Sequence, residues 1–424
     1  MKSLVFGCAL LIVGFTLNAQ NFEAGAAKRI ITPDPLLPIS GGMGIPKAAT
    51  SKKGELTARA LVLRRGAETV AIVSVDLLGF PGVLGDRART LIPRLAPDRI
   101  LIGATHTHSG PDAYAFPDGK GGHTASLEYL QFVTEQIAGA VNDAVNAMKP
   151  AELRVATGEV KGKVAYNYYA PDLYDRRASV LQVRSASGDG MIATLVNYAI
   201  HPEVLGNGVG ILSPDLVGPL NDRLEKEGGI GIFMNGAQGG MVTADNRNLD
   251  EAPRDSARAY WRDSRTWEEC VRIGELLAAE SLRIVGPAVW QKDPLVRNQS
   301  AAVRFPVESA EMWQVVEGSP LNYPRRVSDR SVSTRVNLVS LGTAQILTIP
   351  GEALPNIGFY LKRKMRGEHN LLFGLTNDAF GYILTKVDFD SFPAYKYISR
   401  TSLGEMTGEI LMQNALELIR KSGE

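Results

Sequence analysis

The chain has 424 residues, 45% of them apolar and 21% charged, with 46 Lys and Arg against 45 Asp and Glu. That balance excludes electrostatic capture of nucleic acid or of an acidic membrane as the working principle. The length is ample for an ordinary hydrophobic core.

At the N-terminus, Lys2, an apolar run from Leu4 to Leu17 and a small residue at Ala19 read as a secretory signal peptide over residues 1–20. The mature chain then starts near Gln20 or Asn21 and is exported, to the periplasm or beyond. The apolar run is shorter than the roughly 20 residues that span a bilayer, and no later stretch is long and uncharged enough, so no transmembrane segment is expected. Loss of the leader takes Lys2 with it and brings the formal charge from +1 to zero. It also leaves Cys270 as the only thiol, so no intramolecular disulfide can form. Cys270 itself sits in a helical pattern and reads as a small buried hydrophobe.

Short β-branched runs follow at Ala60–Leu63, Val70–Leu77, Ile100–Thr105, Leu153–Ala156, Val180–Val183 and Ile192–Ala199. Between them, Leu130, Val133, Ile137, Val141, Val145 and Met148 recur at spacings of three or four and predict a helix over Leu127–Met148. Further helices are predicted at Leu216–Glu227, Trp267–Val285, Leu354–Met365 and Leu403–Arg420. The polar stretches Leu249–Thr266 and Gly318–Ser333 read as surface excursions. Together these elements predict an α/β protein, a mixed β-sheet core flanked by helices, forming one large catalytic domain over residues 21–424.

Two of the five histidines lie in Ala104-Thr105-His106-Thr107-His108-Ser109-Gly110-Pro111, directly after an apolar strand. In an extended segment residues i and i+2 share a face, so His106 and His108 are expected to emerge together at the carboxyl end of the strand. The turn signal Ser-Gly-Pro is expected to keep the strand from burying the rings. The pair reads either as metal ligands or as two hydrogen-bonded surface histidines. His201 closes another apolar strand and repeats the pattern of His106. Glu352 follows the strand Ala344–Ile349 at a Pro-Gly turn, as a metal ligand or as a first-turn carboxylate of the next helix. Tyr382 and Tyr397 lie downstream, where tyrosines serve as packing residues or as oxygen donors. His123 sits in a glycine-rich loop and reads as a solvated loop histidine.

The Ala104–Pro111 segment resembles the signature of the neutral, non-lysosomal ceramidases. Ile31–Asp34, Ala58–Ala60, Val73–Asp76, Asn197–Pro202, Ser213–Asp215, Asn235–Gly239, Pro350–Glu352 and Gly374–Asn377 follow in the family's order, so the resemblance covers nearly the whole mature chain. It implies a zinc ion held by His106, His201, Glu352 and Tyr382, with His108 as acid/base group and Tyr397 as oxyanion donor, Tyr395 being a neighbouring candidate. It further implies hydrolysis of the N-acyl bond of a lipid or small-molecule substrate, ceramide-like or otherwise N-acylated, by metal-activated water.

Three departures stand out. The family's glycine-rich loop carries a serine, whereas this chain reads Gly239-Gly240-Met241-Val242-Thr243, so Thr243 can replace it only if the loop is longer. The family arginine has no clear counterpart; Arg176 and Arg177 lie nearby and read equally as surface charge. The chain is expected to comprise the family's catalytic domain without the immunoglobulin-like domain that follows it there. An ester hydrolase on a small or carbohydrate-derived substrate, and a metal-binding homologue without catalysis, are the alternatives.

Overall fold

A computed structural model describes residues 22–254 and 260–423. The signal-peptide reading of residues 1–20 lies outside them, as does the middle of the predicted excursion at 249–266. Among the described residues no helix is long and apolar enough to cross a membrane.

Two β-sheets carry the architecture. The first has eight strands: β1 (Phe22–Ile30), β2 (Thr57–Arg65), β3 (Glu68–Val75), β4 (Ile100–Ala104), β5 (Lys149–Glu159), β6 (Arg177–Ser185), β7 (Met191–Tyr198) and β8 (Ile230–Asn235), in the spatial order β8-β7-β6-β5-β1-β2-β3-β4. The second places β9 (Val296–Pro306), β10 (Ser331–Leu341), β11 (Ala344–Thr348) and β12 (His369–Phe373) side by side in that order. Both sheets are mixed. β3 with β4, β7 with β8 and β11 with β12 are parallel, and the remaining pairs are antiparallel.

The sheets pack face to face. Leu61, Ile72, Leu101, Leu153, Leu181 and Ile232 of the first sheet form one buried cluster with Val339, Ile346, Leu371 and Phe373 of the second. Helices cover the outer faces: Leu127–Asn146 lies on β1 and β2, Trp267–Val285 on β5 and β6, and Thr407–Lys421 on β9 and β10. The apolar stripe read from the sequence is the buried side of the first of these, with Leu130, Val133, Ile137 and Val141 at its centre. Its approach to β1 is so close that a Cβ at Gly25 would lie 2.1 Å from the Ala144 carbonyl oxygen. Strands buried on both faces read as continuous apolar runs, which is why β2, β3 and β4 were visible in the sequence.

Several elements were not predicted. β1 is FEAGAAKRI, with little β-propensity, and β9 opens on the polar run Arg297–Ser300. The helices Gly82–Thr90 and Ala310–Gly318 also escaped the pattern. Gly318–Ser333 proves less superficial than expected, because Leu321 and Tyr323 are buried in it. The predicted helix at Leu403 starts only at Thr407, since the Leu403 carbonyl accepts bonds from the Glu308 and Ser309 amides.

Polar side chains buried between the strand ends tie this framework together. Asn197 donates to the Met234, Asn235 and Leu372 carbonyls, joining the two sheets. Asn235 donates to Thr105 and Ile200, fixing the two segments that carry the histidines. Asp76 accepts from both the amide and the hydroxyl of Thr57. Such satisfied buried groups hold the loops in one geometry.

Candidate metal centre

The three parallel strand pairs direct their carboxyl ends to one region, where α/β sheets place their sites. β4 runs into His106 and His108, β7 into His201, β8 into the loop Gly236–Met241, and β11 into Glu352. Backbone bonds lace these loops together. His108 N donates to Pro202 O (3.1 Å), His201 N to Val242 O (2.8 Å), Gly239 N to Ala353 O (2.9 Å) and Glu352 N to Gly381 O (2.8 Å). Glu352 and Tyr382 are direct partners in a short parallel bridge.

Side chains converge on the same point. His201 Nε2 lies 3.1 Å and His106 Nε2 3.4 Å from one oxygen, Glu352 Oε2. The His106, His108 and His201 rings each place a nitrogen within 4.8 Å of the others. The opposite nitrogens are anchored to the backbone, His106 Nδ1 to Leu78 O at 2.5 Å and His201 Nδ1 to Val242 O at 2.8 Å. A carbonyl only accepts, so Nδ1 carries the proton in both rings and each Nε2 presents a lone pair.

Two lone pairs therefore face a carboxylate oxygen. Without a cation that arrangement is repulsive, and a proton relieves it: burial disfavours the His201 imidazolium, but the bond to Glu352 prevails and its pKa is raised. Burial likewise opposes ionisation of Glu352, yet His106 and His201 hold its carboxyl far below the usual range. A divalent cation answers the same demand better, and imidazole nitrogens backed by carbonyls with an anionic oxygen are a donor set that suits zinc. His106 reaches its position with φ of +72°, a left-handed conformation costly for a residue with a Cβ and a mark of functional sites.

Beside the cluster lies a pocket with about 560 Å³ of empty space, lined by His106, His108, Glu352, Tyr382 and Tyr397 on its polar side. Leu78, Tyr114, Phe116, Met312, Val315 and Ala379 make the apolar wall, Tyr114 and Phe116 stacked at 4.7 Å. Burial pushes the His108 imidazole down to about 3 against the pull of Glu203, so the ring is neutral at pH 7. Burial and then Glu352 push the Tyr382 phenol well above its ordinary value, and Tyr397 moves the same way.

No family model matches the sequence. Among solved structures, the neutral ceramidase from Pseudomonas aeruginosa superposes with a TM-score of 0.75 over 95% of this chain and 75% of that one, at 16% identity. A ceramidase complexed with C2 superposes equally well, at 0.75 and 16% identity, over 95% of this chain and 76% of that one. The chain has the neutral-ceramidase fold.

Within that fold, the sequence-derived residues fall as follows. His106, His201 and Glu352 meet; Tyr382 lines the same pocket with its hydroxyl 3.4 Å from Met241 Sδ. Tyr397 also lines it, 45% exposed, on the short helix Lys396–Arg400. Tyr395 packs instead against Tyr169 and Phe392. Two expectations fail. β4 ends at Ala104, so the two histidines share a face through a left-handed turn and not through strand alternation, and the Ser-Gly-Pro turn does not keep the rings out of the interior, His106 being 3% exposed. Arg176 pairs with Asp172 at the surface, and the half-exposed Arg177 pairs with the largely buried Asp175; neither arginine lines the pocket. His123 sits in a bridge with Pro117, and Cys270 is buried.

Thr243 does not line the pocket. Its hydroxyl donates to Glu203 Oε1 at 2.5 Å, and Glu203 Oε2 lies 3.6 Å from His108 Nδ1. Sequence reasoning missed Glu203, although a carboxylate two residues beyond His201, in His-Pro-Glu, was a signal available to it.

Proposed function

We propose that this chain is a zinc-dependent hydrolase that cleaves an N-acyl amide bond in a ceramide-like or other N-acylated substrate. The observation that carries the reading is the meeting of His106 Nε2, His201 Nε2 and Glu352 Oε2, both rings anchored through Nδ1 to carbonyls. Tyr382 completes the set from the adjoining strand. Zinc held there supplies a Lewis acid for a carbonyl and brings the pKa of water towards about 7.

The chain's own groups do the rest. His108, neutral and beside the ligands, takes a proton through Nε2 and returns it to the leaving nitrogen. Tyr397 donates a hydrogen bond from its phenol to the oxygen on which negative charge develops. The apolar wall receives the acyl chain and excludes water from it. With the Thr243 hydroxyl bound to Glu203, no hydroxyl replaces the family serine in the loop, which favours water over a covalent route. Export through the N-terminal leader fits an extracytoplasmic substrate.

Purified protein assayed against matched N-acyl and O-acyl chromogenic substrates tests this. Amide turnover that disappears on chelation and in His106→Ala supports the proposal. Turnover of esters alone replaces it with the ester-hydrolase reading, and stoichiometric zinc without any turnover replaces it with a metal-binding homologue.

A further inference from the structure

The second carboxylate near the centre, Glu203, does not line the pocket. It lies behind His108. Glu203 Oε2 is 3.6 Å from His108 Nδ1, just beyond a direct hydrogen bond but close enough for the carboxylate to favour a proton on that nitrogen. Its other oxygen is fixed by Thr243 Oγ1 at 2.5 Å. Backbone bonds set the spacing, since His108 N donates to Pro202 O, the residue before Glu203.

The other ring nitrogen, His108 Nε2, is buried without a hydrogen-bond partner, and the ring lines the pocket. A buried nitrogen left unpaired on a ring that lines the pocket is open to a partner that the substrate brings. Which tautomer His108 adopts decides whether that nitrogen offers a lone pair or a proton. A carboxylate only accepts, so Glu203 selects the ring with hydrogen on Nδ1 and leaves the Nε2 lone pair facing the pocket.

We infer that Glu203, held by Thr243, is a positioning residue that fixes the tautomer and orientation of His108. The three-residue strand Val242–Ala244 thereby orients two histidines: the Val242 carbonyl fixes His201, and the Thr243 hydroxyl fixes His108 through Glu203. The altered glycine-rich loop thus exchanges a hydroxyl in the pocket for one that supports the proton carrier. The kinetic consequence rests on the hydrolase reading; the tautomer does not.

The test uses full-length mature protein labelled with 15N-histidine, the His108 signal being assigned by its loss in His108→Ala. Wild type is expected to show His108 with hydrogen on Nδ1 and a bare Nε2. Glu203→Gln, whose amide oxygen still accepts, keeps that pattern, whereas Glu203→Ala loses it, and Thr243→Val shifts it part-way. On a substrate turned over by wild type, Glu203→Ala is expected to lower kcat about 10- to 100-fold, with KM and zinc content unchanged and partial recovery in Glu203→Gln. A His108 signal identical in wild type and Glu203→Ala overturns the inference, as does unchanged kcat. If wild type hydrolyses nothing, the hydrolase reading fails alone, and the 15N pattern still decides the role of Glu203.

Discussion

A methyl group added at Gly239 should cost the protein its metal affinity, although Gly239 carries no donor atom. Its Cβ would lie 2.1 Å from the Glu352 carbonyl oxygen, 2.7 Å from the Glu352 carbonyl carbon and 2.8 Å from that of Ala353. These are backbone atoms and cannot rotate away. Carbon contacts become comfortable at about 3.5 Å, so either Glu352 or the loop leading to Val242 must retreat by more than about 1 Å. In the proposed centre Glu352 supplies a ligand oxygen and Val242 the carbonyl that orients His201, while metal bonds tolerate only about 0.2 Å. Gly239→Ala is therefore expected to weaken zinc binding about 10- to 100-fold, or about 1.4–2.7 kcal/mol, and to cost about 1–3 kcal/mol of folding stability through overpacking. Titration against a chromogenic chelator measures the affinity, with thermal melts to confirm folding. Gly44→Ala is the control, because its Cβ meets nothing within 4 Å. Wild-type zinc affinity in a folded Gly239→Ala protein would refute the reasoning.

Asp378 is buried, which pushes its carboxyl up to about 7 against the bonds from Gly82 N and Ala379 N. With the folded pKa above the unfolded one, its contribution is complete at low pH and is lost as pH rises towards about 7. Urea midpoints should thus fall less between pH 4 and pH 7.5 in Asp378→Asn than in wild type; parallel profiles would contradict this. Lys362 Nζ bonds Asp175 Oδ2 at 2.9 Å, and both side chains are largely buried. Although burial opposes it, Lys362 with Arg177 holds the Asp175 carboxyl at about 2, so this contribution is present above about pH 4 and lost as pH falls towards 2. Lys362→Met should cost about 2 kcal/mol at pH 7, Arg177 retaining its two side-chain bonds to Asp175, and an unmoved urea midpoint would count against it.

Much of the framework was legible because buried strands and amphipathic helices advertise themselves by period. The helix Trp267–Val285 was read to the residue, and β2, β3 and β4 to within a few residues at each end. β1 and β9 were not legible, since their partners, and not their own side chains, make them strands. At the site, each histidine or carboxylate was ambiguous alone; repeated placement at strand ends raised its weight, and the resemblance of Ala104–Pro111 to the neutral ceramidase signature singled out the set. The left-handed turn at His106 left no legible trace in the sequence, because histidine, although enriched at positive φ, adopts it too rarely for one residue to signal it. Glu203 was passed over for a similar reason: its meaning lies in the Thr243 and His108 side chains, which are 40 and 95 positions away.

The central claim is that two imidazoles and a carboxylate hold one divalent ion. Crystals of protein purified at neutral pH, with diffraction recorded on both sides of the zinc absorption edge, address it directly. The account predicts a single anomalous peak about 2.0–2.2 Å from His106 Nε2, His201 Nε2 and a Glu352 carboxylate oxygen. No peak there, in protein supplied with stoichiometric zinc, would contradict it.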